Sequence, residues 1–157
     1  MGGGIVSIVL LGTLALLLVS AGIQDARTRE IANWKNAAIA LLAPLWWWSN
    51  GLFLWPDIAA QLVLAVIVFA FFCGAFALGW MGGGDVKMIG ALALWLPFQP
   101  LAGMLILMSL VGGALTIVMM IERTLKKKTG AIEIPYGVAI AIAALFALHE
   151  PLLNQFP

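Results

Sequence analysis

Gly82-Gly83-Gly84-Asp85-Val86-Lys87-Met88-Ile89-Gly90-Ala91-Leu92-Ala93-Leu94-Trp95-Leu96-Pro97 is the stretch on which the topology turns. Between Val86 and Leu96 there are only 11 residues before the proline, roughly 16 Å of helix at about 1.5 Å per residue. The hydrocarbon core of a bilayer is about 30 Å thick. Five other apolar stretches flank this one, at about 4–23, 34–49, 58–79, 101–121 and 134–149, and each reads as a helix. The basic residues settle whether the short stretch crosses. Arg27, Arg29 and Lys35 follow the first span, Lys87 opens the doubtful one, and Arg123, Lys126, Lys127 and Lys128 follow the fifth. With the short stretch counted as a span (86–99), all eight Lys and Arg fall in alternate connections. The remaining connections, 50–57 and 97–100, carry only Asp57. Without that crossing, Lys87 and the Lys126–Lys128 run would lie on opposite sides, against the positive-inside rule. The segment therefore counts as a short span, and its shortness pulls Asp85 to partial membrane depth, beside protein or water.

Composition agrees. Of 157 residues, 64% are hydrophobic and 10% are charged, against roughly 25% charged in a soluble domain, and the mean hydropathy is +1.10. The expected fold is all-α: one polytopic membrane domain over residues 1–157, about six spans, basic connections cytoplasmic and both termini outside. Val19-Ser20-Ala21 loosely resembles a signal-peptidase site, but no positive charge precedes the apolar stretch, so residues 4–23 read as a retained span. Trp46, Trp47 and Trp48 fall where an outer aromatic belt belongs. Ser109, Gly112 and Gly113 read as close-packing positions. The Lys126–Lys128 run reads as an anchor on anionic lipid.

One cysteine, Cys73, and one histidine, His149, exclude an internal disulfide and the common zinc frameworks. A Walker loop and an H-E-x-x-H helix are both absent from the sequence. No metal or other cofactor is expected, and no nucleic-acid partner. The chemistry that remains is carboxylate chemistry, and it gathers on one face: Asp25, Glu30, Asp85, Glu122 and Glu133 are cytoplasmic in this topology.

Asp25 stands at the cytoplasmic end of span one and Asp85 at the cytoplasmic start of span four, so a compact bundle places them side by side. Two close carboxyls cannot both ionise cheaply, so one holds a proton while the other acts as base. Such a pair activates water and then protonates a leaving amine, which is aspartic proteolysis. Gly82, Gly83 and Gly84 would tolerate unusual backbone angles and clear one wall of the site for an extended substrate. Each feature has a plainer reading: Asp85 as a helix N-cap, Asp25 as a solvated helix end, Lys87 as a cytoplasmic anchor. Intramembrane carboxylates also build ion paths, so a small proton- or cation-coupled transporter is the rival reading.

These residues resemble the type IV prepilin peptidases, membrane aspartic proteases with a G-x-G-D motif. Gly82, Gly84 and Asp85, continued by Val86-Lys87-Met88, look like the family's G-x-G-D-x-K-[LM]; Asp25 through Trp34 looks like its D-x-R-x-R-x-I-P-N, with Ala32 in place of the proline. Ile134-Pro135-Tyr136-Gly137 resembles a late family segment that opens the last helix. The resemblance implies Asp25 and Asp85 as catalytic residues, with Gly82, Gly83, Gly84 and Lys87 shaping the site or meeting substrate. It implies removal of a leader peptide from prepilins or pseudopilins at the cytoplasmic face of a bacterial inner membrane. Larger members carry paired C-x-x-C motifs associated with N-methylation; this sequence lacks them and looks like the short form of tight-adherence (Flp) pilus systems. The implied partners are the substrate helix and the bilayer.

Overall fold

The computed structural model describes residues 2–126 and 134–149. Lys127, Lys128, Glu133 and Glu150 lie outside the described residues, and so does most of the lysine run expected as a lipid anchor. Among the described residues six helices follow in order: α1 (Gly2–Thr28), α2 (Asn33–Ser49), α3 (Ala59–Ala77), α4 (Gly83–Leu92), α5 (Phe98–Lys126) and α6 (Tyr136–Ala147). A kinked segment, Leu54–Ile58, with Trp55 in extended backbone (φ −134°, ψ 130°), leads into α3. Among the described residues three stretches are long and apolar enough to cross a membrane: Gly4–Thr28, Leu54–Ala77 and Phe98–Lys126. The protein is an all-α membrane protein.

The short fourth helix is shorter than its apolar stretch. It starts at Gly83, runs 10 residues, and gives way to turns at Ala93. The chain re-enters a helix at Phe98, so Pro100 falls in the first turn of α5, where a missing N–H costs nothing. Despite its length α4 is central. It packs against α2, α3 and α6, while α1 packs against α2 and α6, and α5 against α6. Leu11, Leu14 and Leu18 of α1, Ile39 of α2, Met88, Ile89 and Leu92 of α4, and Ile140 of α6 are sealed in the core. The outer helices are apolar all round; of α3 only Gln61 and Ala65 are buried, and Phe71 is 73% exposed. Lipid, which is as apolar as these side chains, covers such a surface.

A helix that ends at membrane depth leaves carbonyls without partners. Side chains from neighbouring helices supply them here. Gln61 Nε2 donates to the carbonyls of Ala93 (2.6 Å) and Leu96 (2.7 Å), and Trp47 Nε1 donates to that of Leu94 (2.8 Å). In return Trp95 Nε1 donates to the Ile39 carbonyl of α2 at 2.8 Å. The expected tryptophan belt is thus divided: Trp48 faces outward at 75% exposure, while Trp47 is turned into the core because the end of α4 requires its donor. The small-residue positions divide as well. Gly112 lets Tyr136 close against α5, whereas Gly113 has nothing near it and exposed Ser109 bonds its own helix.

Candidate active site

Asp25 and Asp85 arrive from opposite chain directions and meet between α1, α4 and α6. Both are nearly closed off from the surface, at 4% and 8% exposure, and their charges interact. Asp25 lies one turn before the end of α1, which Arg29 terminates with a left-handed backbone (φ 58°) and an N–H bond to the Asp25 carbonyl at 2.9 Å. That reversal brings Ile31 back beneath the pair.

The carboxylate of Asp25 is held by α6. Its Oδ2 accepts the Val138 N–H at 3.2 Å, and the Gly137 N–H also addresses it. These are the second and third residues of α6, in the turn whose N–H groups have no partner four residues back; the Val138 N–H is shared with the Pro135 carbonyl, also at 3.2 Å. The residue ahead of the helix is Pro135, which makes no side-chain cap, so Asp25 performs that service from a helix 113 positions away. On the other side, the Asp85 carboxylate addresses the Gly82 N–H, closing the first turn of α4 on itself.

The glycines act through clearance. A Cβ on Gly82 would stand 3.1 Å from Asp85 Oδ2, one on Gly83 3.3 Å from the Phe76 ring, and one on Gly84 3.3 Å from Ile31 Cβ. Positive φ among the described glycines occurs at Gly51 and Gly79, not in this run; Gly82 is extended, at φ −70°. The backbone freedom expected of the triple glycine is therefore not what the turn uses. It uses the missing side chains to let α3 and the α1–α2 turn close around Asp85.

Lys87 is placed differently from the dyad. Lys87, Gly90 and Ala91 of α4, with Leu94 just beyond its end, line the side away from Asp85, along a groove of about 600 Å³ shared with α2 and α3. Lys87 Nζ donates to Asn33 Oδ1 at 2.9 Å. Lys35, counted in the sequence as a connection charge, is buried and donates to the Ser20 carbonyl of α1 at 2.9 Å.

Three positions of the site were not singled out from sequence. Ile31 packs between Gly84 and Gly137, and Asn36 Nδ2 donates to the Gly84 carbonyl at 3.0 Å, tying α2 to the turn that carries Asp85. Val138 supplies the donor to Asp25. Ile31 and Asn33 stood within the quoted D-x-R-x-R-x-I-P-N pattern without a role; Asn36 lies beyond it and carried no signal except polarity inside an apolar run. Asn36→Leu is expected to cost less than about 1 kcal/mol in unfolding free energy, because it deletes the bond to Gly84 and an Oδ1 that is buried without a partner among the described residues. A denaturant titration checks this, and a loss above about 3 kcal/mol would contradict it.

Residues 12–117, more than half of the chain, match the type IV leader peptidase family. The chain belongs to that family. Both aspartates, the three glycines and Lys87 lie inside the matched stretch, while the Ile134–Gly137 segment lies beyond it. No curated protein and no solved structure matches the chain. As a type IV leader peptidase family member the protein is a membrane peptidase. Among the described residues no cluster of His, Cys, Asp and Glu is suited to a metal ion.

Proposed function

We propose that this protein is an aspartic endopeptidase that removes the leader of Flp-type prepilins or pseudopilins at the cytoplasmic face of the inner membrane, without a methyltransferase function. The observation that carries the reading is the meeting of Asp25 and Asp85 in a buried site at the end of the bundle, within a peptidase family.

The chemistry follows from the pair. One carboxylate takes a proton from water as the water oxygen adds to the scissile carbonyl carbon. The other carboxyl gives its proton to the carbonyl oxygen, and a neutral gem-diol results. Collapse of that intermediate returns a proton to the leaving nitrogen and breaks the C–N bond. The products are a leader carboxylate and a new amino terminus on the mature helix. The titration belongs to the pair as a unit. Because substrate helices start where the leader ends, a site at the end of the bundle suits a bond just ahead of an apolar helix. Arg27 and Arg29 stand at that end by sequence and support its cytoplasmic orientation. A transporter would want polar groups along several spans, whereas α3 buries one polar side chain, Gln61, and α6 none among its described residues.

The test is co-expression with an epitope-tagged prepilin and a gel-shift readout of leader removal in membranes. Cleavage is expected from the wild type and is expected to persist in EDTA or 1,10-phenanthroline, since two carboxyls carry out the acid–base steps. A prepilin that keeps its leader sinks the substrate assignment, and cleavage abolished by chelation sinks the aspartic mechanism.

A further inference from the structure

We propose that Gly137 is a positioning residue of the dyad: it admits the N-terminus of α6 against Asp25, which makes Asp25 the ionised base and leaves the proton on Asp85. The inference rests on the aspartic-peptidase reading and assigns the two roles within it.

The fit at this point is closer than packing alone requires. A Cβ on Gly137 would lie 2.8 Å from Asp25 Cγ, 2.9 Å from Asp25 Cβ and 2.8 Å from Ile31 Cδ1. Real Cβ atoms do not approach other atoms so closely, so any side chain here drives α6 and the carboxylate apart. The approach that glycine permits delivers the N–H groups of Gly137 and Val138 to Asp25. Donors to a carboxylate favour its charged form, and the N-terminal end of a helix adds a partial positive charge. Among the described residues Asp85 has only the Gly82 N–H of its own turn. Charged groups facing Asp25 are Asp85 from α4 and Arg29 from the end of its own helix. Lys35 of α2 is turned onto the Ser20 carbonyl, and α6 contributes backbone N–H groups rather than a charged side chain. The donor set is therefore unequal across the pair, and the inequality assigns the base. Tyr136 sets the depth of this helix start: a Cβ on Gly112 would meet its ring at 2.7 Å, so α5 fixes where α6 begins.

The experiment measures kcat and KM against pH for prepilin cleavage by the purified enzyme in lipid nanodiscs. The variants are Gly137→Ala, Ile31→Val, Gly137→Ala with Ile31→Val, and Val138→Pro. Ile31→Val removes the Cδ1 atom that a new methyl at position 137 would strike, while leaving the collision with Asp25. Val138→Pro deletes the donor itself in the first helical turn, where proline is tolerated. Gly137→Ala is expected to lower kcat about 10²-fold with KM unchanged, and to move the acid limb of the kcat profile to higher pH, because Asp25 loses its donors. The double variant is expected to stay impaired, and Val138→Pro to move the same limb in the same direction. Restoration of kcat and of the limb by Ile31→Val would reduce Gly137 to a packing residue and overturn the proposal. So would a wild-type limb in Val138→Pro, the variant that decides the matter if Gly137→Ala fails to insert. Absence of cleavage by the wild type would instead strike the peptidase reading on which the proposal rests.

Discussion

Asp25→Asn and Asp85→Asn are each expected to abolish leader cleavage, lowering kcat/KM by more than about 10³-fold, with membrane insertion intact. Asparagine keeps the shape of the side chain and an oxygen that accepts the Val138 N–H at position 25. It cannot take a proton from water or return one to the leaving nitrogen. The loss is therefore chemical, and it should appear in kcat. The double variant is expected to be no worse than either single one, because the two carboxyls act as one unit and the first deletion already removes it. Asp57→Asn is the control: this carboxylate accepts the Phe53 N–H at 3.1 Å near the start of α3, away from the dyad, and its loss should leave cleavage unchanged. Normal processing by either dyad variant would remove that aspartate from the mechanism. Normal processing by both would leave the family chemistry unused here and turn attention to ion flux.

What could be read from sequence followed from one-dimensional patterns, and what could not depended on contacts between distant segments. Hydropathy and the alternation of basic connections yield six helices, including the short one, because a charge rule binds Lys87 and the Lys126 region to one side. The meeting of Asp25 and Asp85 was legible for the same reason: helix count and direction alone bring both to one end. Boundaries were not legible at α4. The apolar run continues to Leu96, but the helix stops at Leu92 because Gln61 and Trp47 take over its carbonyls. Nothing in the spacing of those two residues announces the partnership, and three adjacent tryptophans read as a belt. The glycine run was legible as special, yet for another reason than backbone freedom: Phe76 and Ile31 need the space, and both come from elsewhere in the chain. Lys87 shares a motif with Asp85, but a step of two residues on a helix is about 200° of rotation, which sends it to the opposite face. Gly137 closed a recognised segment but Val138 lay just past it, and the bond from Val138 to Asp25 spans 113 positions, which only the folded chain reveals.

Gln61→Leu is expected to destabilise the fold by about 2–5 kcal/mol, the cost of leaving two buried carbonyls unpaired. In water that cost would be softened, since solvent would reach the opened groups. Gln61 is buried, at 9% exposure, and its targets sit where a 10-residue helix ends inside the bundle, so a bilayer offers them no substitute. Leucine fills nearly the same volume and is at home in lipid, so the loss reports the bonds to Ala93 and Leu96 rather than a cavity. Trp47→Phe, which deletes the single bond to Leu94, is expected to cost about 1–2 kcal/mol. Together the two changes should not simply add, because they act on the same four-residue stretch and share its relaxation. Val63→Leu, on the exposed face of α3, is the reference and should be neutral. Reversible unfolding in mixed micelles measures all four. The activity of Gln61→Leu carries a second consequence: α4 is short and rigid, with Asp85 in its first turn and these carbonyls just beyond its last, so loosening one end shifts the other. A lower kcat in the fraction that remains folded is the expected companion of the stability loss. Gln61→Leu stability within about 0.5 kcal/mol of wild type would mean that other groups satisfy the end of α4, and that Gln61 does not hold the helix that carries the dyad.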